Sequence, residues 1–249
     1  MNLLYVPIFI WGLLFGSFLN VIIYRLPRNL SIVFPGSFCP NCNSPIPLYR
    51  NIPLVSFIIQ KGKCANCKER ISIRYPLIEF TNGVLWYLNF HFFDLNTATF
   101  NAILSSTVLA IIFIDFDKFI IPFKLIIFSG ITIGLGIYFK SFELQKSIHG
   151  LIMGVGYLGF VFILTSLLLK KQAMGYGDLF LIAVLGAWLG PVKILFIIFL
   201  AAIFGIIYYI LSKYFLNISL QKLPFGTFLG ISSLILLFIK THKLLSFIL

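Results

Sequence analysis

Charged side chains are scarce in this sequence. They make up 10% of its 249 residues, whereas 60% of the residues are hydrophobic and the mean hydropathy is +1.04. Soluble globular domains carry about one quarter charged residues, so this composition excludes an ordinary soluble protein. It predicts a polytopic membrane protein that is surrounded by a lipid bilayer.

Several common enzyme signatures are also missing. The sequence has no G-x-S-x-G nucleophile elbow, no H-E-x-x-H zinc helix and no glycine-rich loop of the kind that holds a phosphate. Internal repeats and low-complexity tracts are absent as well. These absences direct attention to the cysteines and to the few acidic residues.

Basic residues outnumber acidic residues by 19 to 7, which gives a formal charge of +12. Such an excess could indicate a nucleic-acid partner. The basic residues, however, fall in short segments between apolar runs, as membrane topology requires. We therefore expect no nucleic-acid partner.

Eight apolar runs predict an all-α membrane protein with about eight transmembrane helices. The first run is followed, not preceded, by Arg25 and Arg28, which is unlike a cleaved signal peptide. The run at 174–190 is short for a full crossing, so a re-entrant or water-lined segment is the alternative there. The runs lie at about 3–24, 77–93, 98–114, 119–139, 148–169, 174–190, 194–211 and 225–239.

The basic residues divide unequally between alternate loops of this eight-span arrangement. Because cytosolic loops carry the excess of Lys and Arg, the richer side is predicted to be cytosolic and both termini to lie outside. The predicted domains are a first helix at 1–24, a cytosolic polar segment at 25–76 and a seven-helix membrane domain at 77–249. The poorer side receives only Lys140, Lys146, Lys193, Lys240 and Lys243.

All four cysteines lie in the cytosolic segment. Cys39 and Cys42 form one C-x-x-C knuckle, and Cys64 and Cys67 form a second. Two such knuckles can complete a tetrahedral zinc site, although a pair of disulfides is the alternative. The cytosol is reducing, which favours the metal. A site closed by four thiolates has no open position, so the zinc is expected to be structural.

Asp178 begins an apolar run, and a carboxylate in hydrocarbon is costly enough to indicate a function. Gly175 and Gly177 precede it, and we expect them to let the backbone leave helical geometry and to admit another chain or water. Asp115 ends another apolar run. Two such carboxylates can share a proton, one activating water while the other polarises a peptide carbonyl. Asp117 is interpreted as an interfacial charge.

Two further features are less specific. Glu79, near the start of the second span, is either a site residue or an ordinary helix-start charge. The small-residue spacing of Gly150 with Gly154, and of Gly130 with Gly134, predicts close helix packing at both places.

Together these residues resemble the type IV prepilin peptidases, membrane enzymes of the GxGD aspartic protease group. The matching stretches are GSFLNVIIYRLP (16–27), the two knuckles, NIPLVSF (51–57), GKCANCKERISIRYPLIE (62–79), Asp115 with Pro122, MGYGDLFLIAVLGAWLG (174–190) and LPFG (223–226). The resemblance runs through nearly the whole chain in the family's order. It implies that Asp115 and Asp178 are catalytic, with Gly175, Gly177 and Pro122 as supporting motif residues.

The resemblance also implies the reaction. The family cleaves the leader peptide of type IV prepilins or pseudopilins on the cytosolic side of the bacterial inner membrane. It then methylates the new N-terminal amine with S-adenosylmethionine. Arg74 and Glu79 mark the region expected to serve methyl transfer. An ion- or proton-coupled transporter that uses buried aspartates is the alternative function.

Three positions depart from the family's pattern. Phe180 stands where a lysine is common, Phe123 where Asp or Asn commonly follows the proline, and Thr227 where a proline is frequent. None of these changes removes a catalytic carboxylate. They bear on rate and on substrate range.

Overall fold

The computed structural model describes residues 5–170, 174–214 and 222–241. Lys243, which entered the charge count above, lies outside them. The described residues form helices, short turns and two isolated β-bridges, with no β-strand among them. The α-helices are α1 (Tyr5–Arg25), α2 (Val55–Ile59), α3 (Arg74–Phe92), α4 (Leu95–Lys118), α5 (Phe123–Tyr138), α6 (Leu144–Leu169), α7 (Tyr176–Leu189), α8 (Pro191–Tyr214) and α9 (Phe225–Leu237).

A helix lies at each of the eight predicted apolar runs, and only α2 belongs to the polar segment. Within the described residues, four helical stretches are long and apolar enough to cross a membrane, so the chain is a multi-pass membrane protein. They are Tyr5–Arg28, Leu95–Lys118, Leu144–Leu168 and Pro191–Tyr214. Helices α5, α7 and α9 are apolar but shorter. The 14 residues of α7 extend roughly 21 Å, short of the hydrocarbon thickness.

The chain divides into two compact units, Met1–Ala110 and Ile111–Leu249. In the first unit α1 packs closely on α3 through small residues. A Cβ atom added to Gly12 would lie 2.8 Å from the Cα of Gly83. The Asn82 amide donates to the Gly12 carbonyl at 2.7 Å, and Ser106 of α4 donates to Asn82. Small residues and buried polar contacts therefore hold these helices together, as is usual in a bilayer.

In the second unit α6 packs on α7 where two glycines meet. A Cβ atom on Gly150 would lie 2.0 Å from the Gly186 carbonyl oxygen, and one on Gly154 would lie 3.1 Å from the Ile182 carbonyl oxygen. The predicted close packing at Gly150 and Gly154 is therefore confirmed. The same prediction is wrong for Gly130 and Gly134, because a Cβ atom on either would meet no described residue within 4 Å.

Replacing Gly150 by Ala should destabilise the protein, because the added methyl group collides with backbone and not with a movable side chain. Overpacking of this kind costs about 1 to 3 kcal/mol. Gly156→Ala is the matched control on the same helix, since its Cβ atom enters open space. Thermal unfolding in detergent should show a lower midpoint for Gly150→Ala only. Equal midpoints for the two variants would contradict this packing.

Candidate functional site

Asp178 is the third residue of α7 and is half-buried. Gly175 precedes the helix, and the backbone N–H of Asp178 donates to its carbonyl at 3.1 Å. The carboxylate thus lies in the first helical turn, where the unpaired N–H groups of the helix favour negative charge. Asp178 therefore lies at the N-terminal start of α7.

The two glycines before Asp178 differ in what they contribute. Gly175 has extended backbone (φ −76°, ψ 141°), which any residue can adopt, and a Cβ atom there would make only an ordinary contact with Asp178. Gly177 already lies within α7, and its Cβ atom would be 3.1 Å from the Cβ of Ile121. The expected loss of helical geometry is therefore found at Gly175, which lies in extended backbone just before α7, but is wrong for Gly177, which is helical. Gly177 instead permits the close approach of Ile121.

Asp115 lies near the end of α4 and is only 5% exposed. Its Oδ2 atom accepts the backbone N–H of Thr227 at 2.7 Å and lies 3.1 Å from the Thr227 hydroxyl. That hydroxyl is equally close to the Ile112 carbonyl oxygen. Thr227 belongs to the first turn of α9, so the start of this helix holds one oxygen of the buried carboxylate.

Ile121 connects the surroundings of the two aspartates. Besides meeting Gly177, its Cδ1 atom would lie 2.7 Å from a Cβ atom on Gly226. The same added atom would be 3.1 Å from Asp115 Oδ2, so a side chain at position 226 would require Ile121 or Asp115 to shift. Ile121 thus neighbours Gly177, which directly precedes Asp178, and Gly226, which lies beside Asp115. The structure therefore brings the two predicted aspartates into one site.

Pro122 helps to place Ile121. The N–H of Phe119 donates to the Asp115 carbonyl at 2.8 Å, and Phe119 takes a left-handed backbone (φ 54°) that ends α4. Pro122, with φ −66°, then caps the start of α5. Because the proline ring fixes this angle, the chain leaves α4 and enters α5 with Ile121 between the two helices.

Asp117 does not join the aspartate pair. It is exposed next to Lys118, two residues beyond Asp115. This agrees with its interpretation as an interfacial charge.

Two of the family departures contact each other. The rings of Phe123 and Phe180 pack edge to face with their centroids 5.4 Å apart, and both side chains are exposed. The aromatic residues at these two positions therefore form one apolar contact between the starts of α5 and α7. No local feature of the sequence relates Phe123 to Phe180, so their contact could not be predicted.

The four cysteines lie together in the first unit. Their sulfur atoms are all within 4.8 Å of one another, with Cys39 to Cys67 at 3.9 Å and Cys42 to Cys64 at 4.0 Å. Sulfurs around a tetrahedral zinc lie roughly 3.8 Å apart, given zinc–sulfur bonds of about 2.3 Å. All four cysteines are free, so the disulfide alternative is wrong. The cluster can hold a metal ion.

The two knuckles have matching geometry. Each has the form C-x-N-C, and each asparagine donates to a sulfur of the other knuckle: Asn41 to Cys67 and Asn66 to Cys42, both at 3.7 Å. Hydrogen bonds from Ser44 also lower the pKa of the Cys42 thiol to about 6. Such donors stabilise the thiolate form that binds metals. The repeated asparagine is visible in the sequence, but its contact with the opposite knuckle is not.

Glu79 lies away from the aspartates in sequence and belongs to the first unit. It is the sixth residue of α3, is 8% exposed, and accepts the backbone N–H of Leu54 at 2.8 Å. Glu79 is thus a buried carboxylate that contacts the loop before α2. Arg74 is the first residue of α3 and is half-buried.

The fold and the site thus define a multi-pass membrane protein with paired aspartates in one unit and a four-cysteine centre in the other. Two family models match the chain: the bacterial peptidase A24 N-terminal domain at residues 10–93 and the type IV leader peptidase family at residues 102–210. The chain belongs to the type IV leader peptidase family.

Curated relatives agree with this assignment. The prepilin leader peptidase/N-methyltransferase of Neisseria gonorrhoeae is 36% identical over 224 residues, covering 79% of this chain and 78% of that protein. The protein of the same name from Aeromonas salmonicida is 34% identical, covering 92% and 89%. The Pseudomonas aeruginosa protein of that name is 35% identical, covering 91% and 87%. No solved structure matches the chain significantly.

Removing both asparagine donors, by Asn41→Ala together with Asn66→Ala, should weaken metal binding roughly 10- to 100-fold. The reason is that Cys67 and Cys42 each lose the hydrogen bond from the opposite knuckle. The measurement is metal content by elemental analysis after dialysis against increasing chelator. Asn51→Ala, an exposed change in the same segment, is the control. Wild-type protein purified without metal, or a double variant that keeps metal as the wild type does, would contradict the metal centre.

Proposed function

We propose that this chain cleaves the leader peptide from type IV prepilins or pseudopilins and then methylates the new N-terminal amine. The observation that carries the proposal is the shared environment of Asp115 and Asp178, around Ile121, in a chain whose relatives are prepilin leader peptidase/N-methyltransferases. The relatives give no support to the transporter alternative. Peptide hydrolysis is also the chemistry that two adjacent carboxylates can perform without a metal ion.

The contacts of Asp115 suggest how the two carboxylates divide their roles. The backbone N–H and the hydroxyl of Thr227 both lie within hydrogen-bond distance of Asp115 Oδ2. Donors at these positions stabilise negative charge on that oxygen. Asp115 is therefore assigned as the base that takes a proton from the attacking water. Asp178 carries the shared proton and donates it toward the carbonyl oxygen of the scissile peptide bond. When the tetrahedral intermediate collapses, the leaving amine takes a proton from Asp115, and the hydroxyl formed from the carbonyl oxygen returns its proton to Asp178.

The membrane arrangement completes the proposal. The chain would cross the bacterial inner membrane eight times with both termini outside, leaving the segment 25–76 in the cytosol and residues 77–249 as the membrane peptidase domain. Zinc would fill the four-cysteine centre and stabilise that segment. S-adenosylmethionine would supply the methyl group.

Replacing Asp178 by Asn should leave the protein folded but slow prepilin cleavage roughly 100-fold or more, because the amide cannot carry the shared proton. Cleavage by purified variant protein is followed by the disappearance of full-length prepilin. Asp117→Asn makes the same chemical change at an exposed aspartate and should cleave normally. Normal prepilin cleavage by the Asp178→Asn variant would contradict the proposed role of Asp178 as proton donor.

Thr227→Val should reduce the rate constant for cleavage by about 10-fold, since it removes one hydrogen bond to Asp115 while the backbone N–H remains. Thr227→Ser keeps the hydroxyl and should restore most of the rate. Proline, frequent at this position in the family, has neither donor, so this contact is a feature of the present chain. If Val and Ser variants cleave equally fast, the hydroxyl does not position Asp115.

A further inference from the structure

A cavity of about 690 Å³ lies in the first unit and takes no part in the aspartate site. Its walls come from α1, the loop before α2, the start of α3 and both cysteine knuckles, all between residues 17 and 79. Its volume is in the range of pockets that bind small organic molecules. The α1 residues that line it, at spacings typical of one helix face, are Ser17, Asn20, Val21, Tyr24 and Arg25.

Arg25 supplies a buried positive charge to this cavity. It is 5% exposed, and it donates to the carbonyl oxygens of Ser31 and Gly36, each at 2.9 Å. Both partners are neutral, the guanidinium carbon also lies 5.7 Å from the centroid of the Phe38 ring, and among the described residues no carboxylate pairs with Arg25. A guanidinium has five N–H donors, so this side chain retains donors and charge for an anionic group. Buried charges are normally paired, which indicates that a ligand supplies the missing anion.

Glu79 supplies a buried negative charge on another wall. Its carboxylate accepts the Leu54 N–H, and no cation pairs with it among the described residues. Leu54 has φ 59°, a backbone that leucine rarely adopts. Glu79 therefore holds a strained residue of the cavity wall while its charge remains unneutralised. Strain retained at such a place is typical of binding sites.

The two charges are held apart by the length of α1. Gly16, where an added Cβ atom would lie 2.7 Å from the Cα of Glu79, precedes Arg25 by nine residues, or roughly 14 Å along the helix axis. The other charged residues that line the cavity, Arg50, Glu69 and Arg70, are exposed. A ligand, or a pair of ligands, with an anionic group near Arg25 and a cationic group near Glu79 would fit between these walls.

We infer that this cavity is the methyl-transfer site, in which Arg25 binds the carboxylate of the S-adenosylmethionine-type donor and Glu79 receives the new N-terminal amine of the pilin. The inference rests on the proposed function. The donor carries a carboxylate and a sulfonium, and the acceptor is an ammonium group until it loses a proton. The buried guanidinium and the buried carboxylate match the anionic and cationic parts respectively.

Methyl transfer requires a neutral amine. An α-amino group has a pKa of about 7.7 to 8.0, so much of it is protonated at neutral pH and a proton must leave first. The Glu79 carboxylate takes that proton. The amine lone pair then forms the carbon–nitrogen bond while the carbon–sulfur bond breaks, its electron pair remaining on sulfur. The products are an N-methylated ammonium and a neutral thioether.

The roles of Arg25 and Glu79 are distinguished by measuring donor binding and pilin methylation independently on the purified full-length protein. S-adenosylhomocysteine binding is measured by calorimetry, and methylation by the mass of the cleaved pilin. Arg25→Gln should weaken binding at least 10-fold. Glu79→Gln should bind within about 3-fold of the wild type yet lose methylation at least 100-fold, since glutamine keeps an acceptor for Leu54 but cannot take the proton.

Prepilin cleavage is the folding control, because Arg25 and Glu79 have no role in the peptidase site. Arg28→Gln removes the same charge at an exposed position three residues away and should bind normally. If Arg25→Gln fails to fold, Val21→Trp fills the cavity without removing a hydrogen bond and should also abolish binding. Normal binding by Arg25→Gln or Val21→Trp, or normal methylation by Glu79→Gln, overturns the inference. A wild type that cleaves but never methylates refutes the proposed function itself.

Discussion

The approach of two carboxylates inside a membrane protein is the constraint on which the second unit depends. Like charges repel, and each carboxylate is costly away from water, so the surrounding helices must provide donors and close packing. The start of α9 provides the donors through Thr227. Ile121 provides the packing, and the glycines at positions 177 and 226 allow its close approach. The starts of α7 and α9 and the end of α4 are thereby brought to one place.

The first unit depends on a different set of contacts, those of its polar segment. Here the two cysteine knuckles organise the polar segment between α1 and α3. The asparagine of each knuckle donates a hydrogen bond to a cysteine sulfur of the other knuckle. The same segment closes over a cavity that retains one buried charge of each sign. Cleavage and methylation would accordingly use separate residues of one chain. This separation is what allows variants in either unit to be tested with the other activity as the control.

Much of this was predictable from sequence because the signals are local. Long apolar runs identified eight of the helices, and a C-x-x-C pair carries its geometry in its spacing. Thr227 could not be predicted as a partner of Asp115, since 112 residues separate them. The glycine pairs show the same limit. Gly150 and Gly130 have identical spacing signals, yet only Gly150 meets another helix, because spacing describes one helix and says nothing about its neighbour.

The most direct test of the account is to incubate the purified protein with a candidate prepilin, with and without S-adenosylmethionine, and to measure the mass of the product. The account predicts loss of the leader peptide in both samples. It predicts a further gain equal to one methylene group only when the methyl donor is present. An uncleaved prepilin in both samples, with the protein folded, would contradict the assignment of Asp115 and Asp178 to peptide hydrolysis.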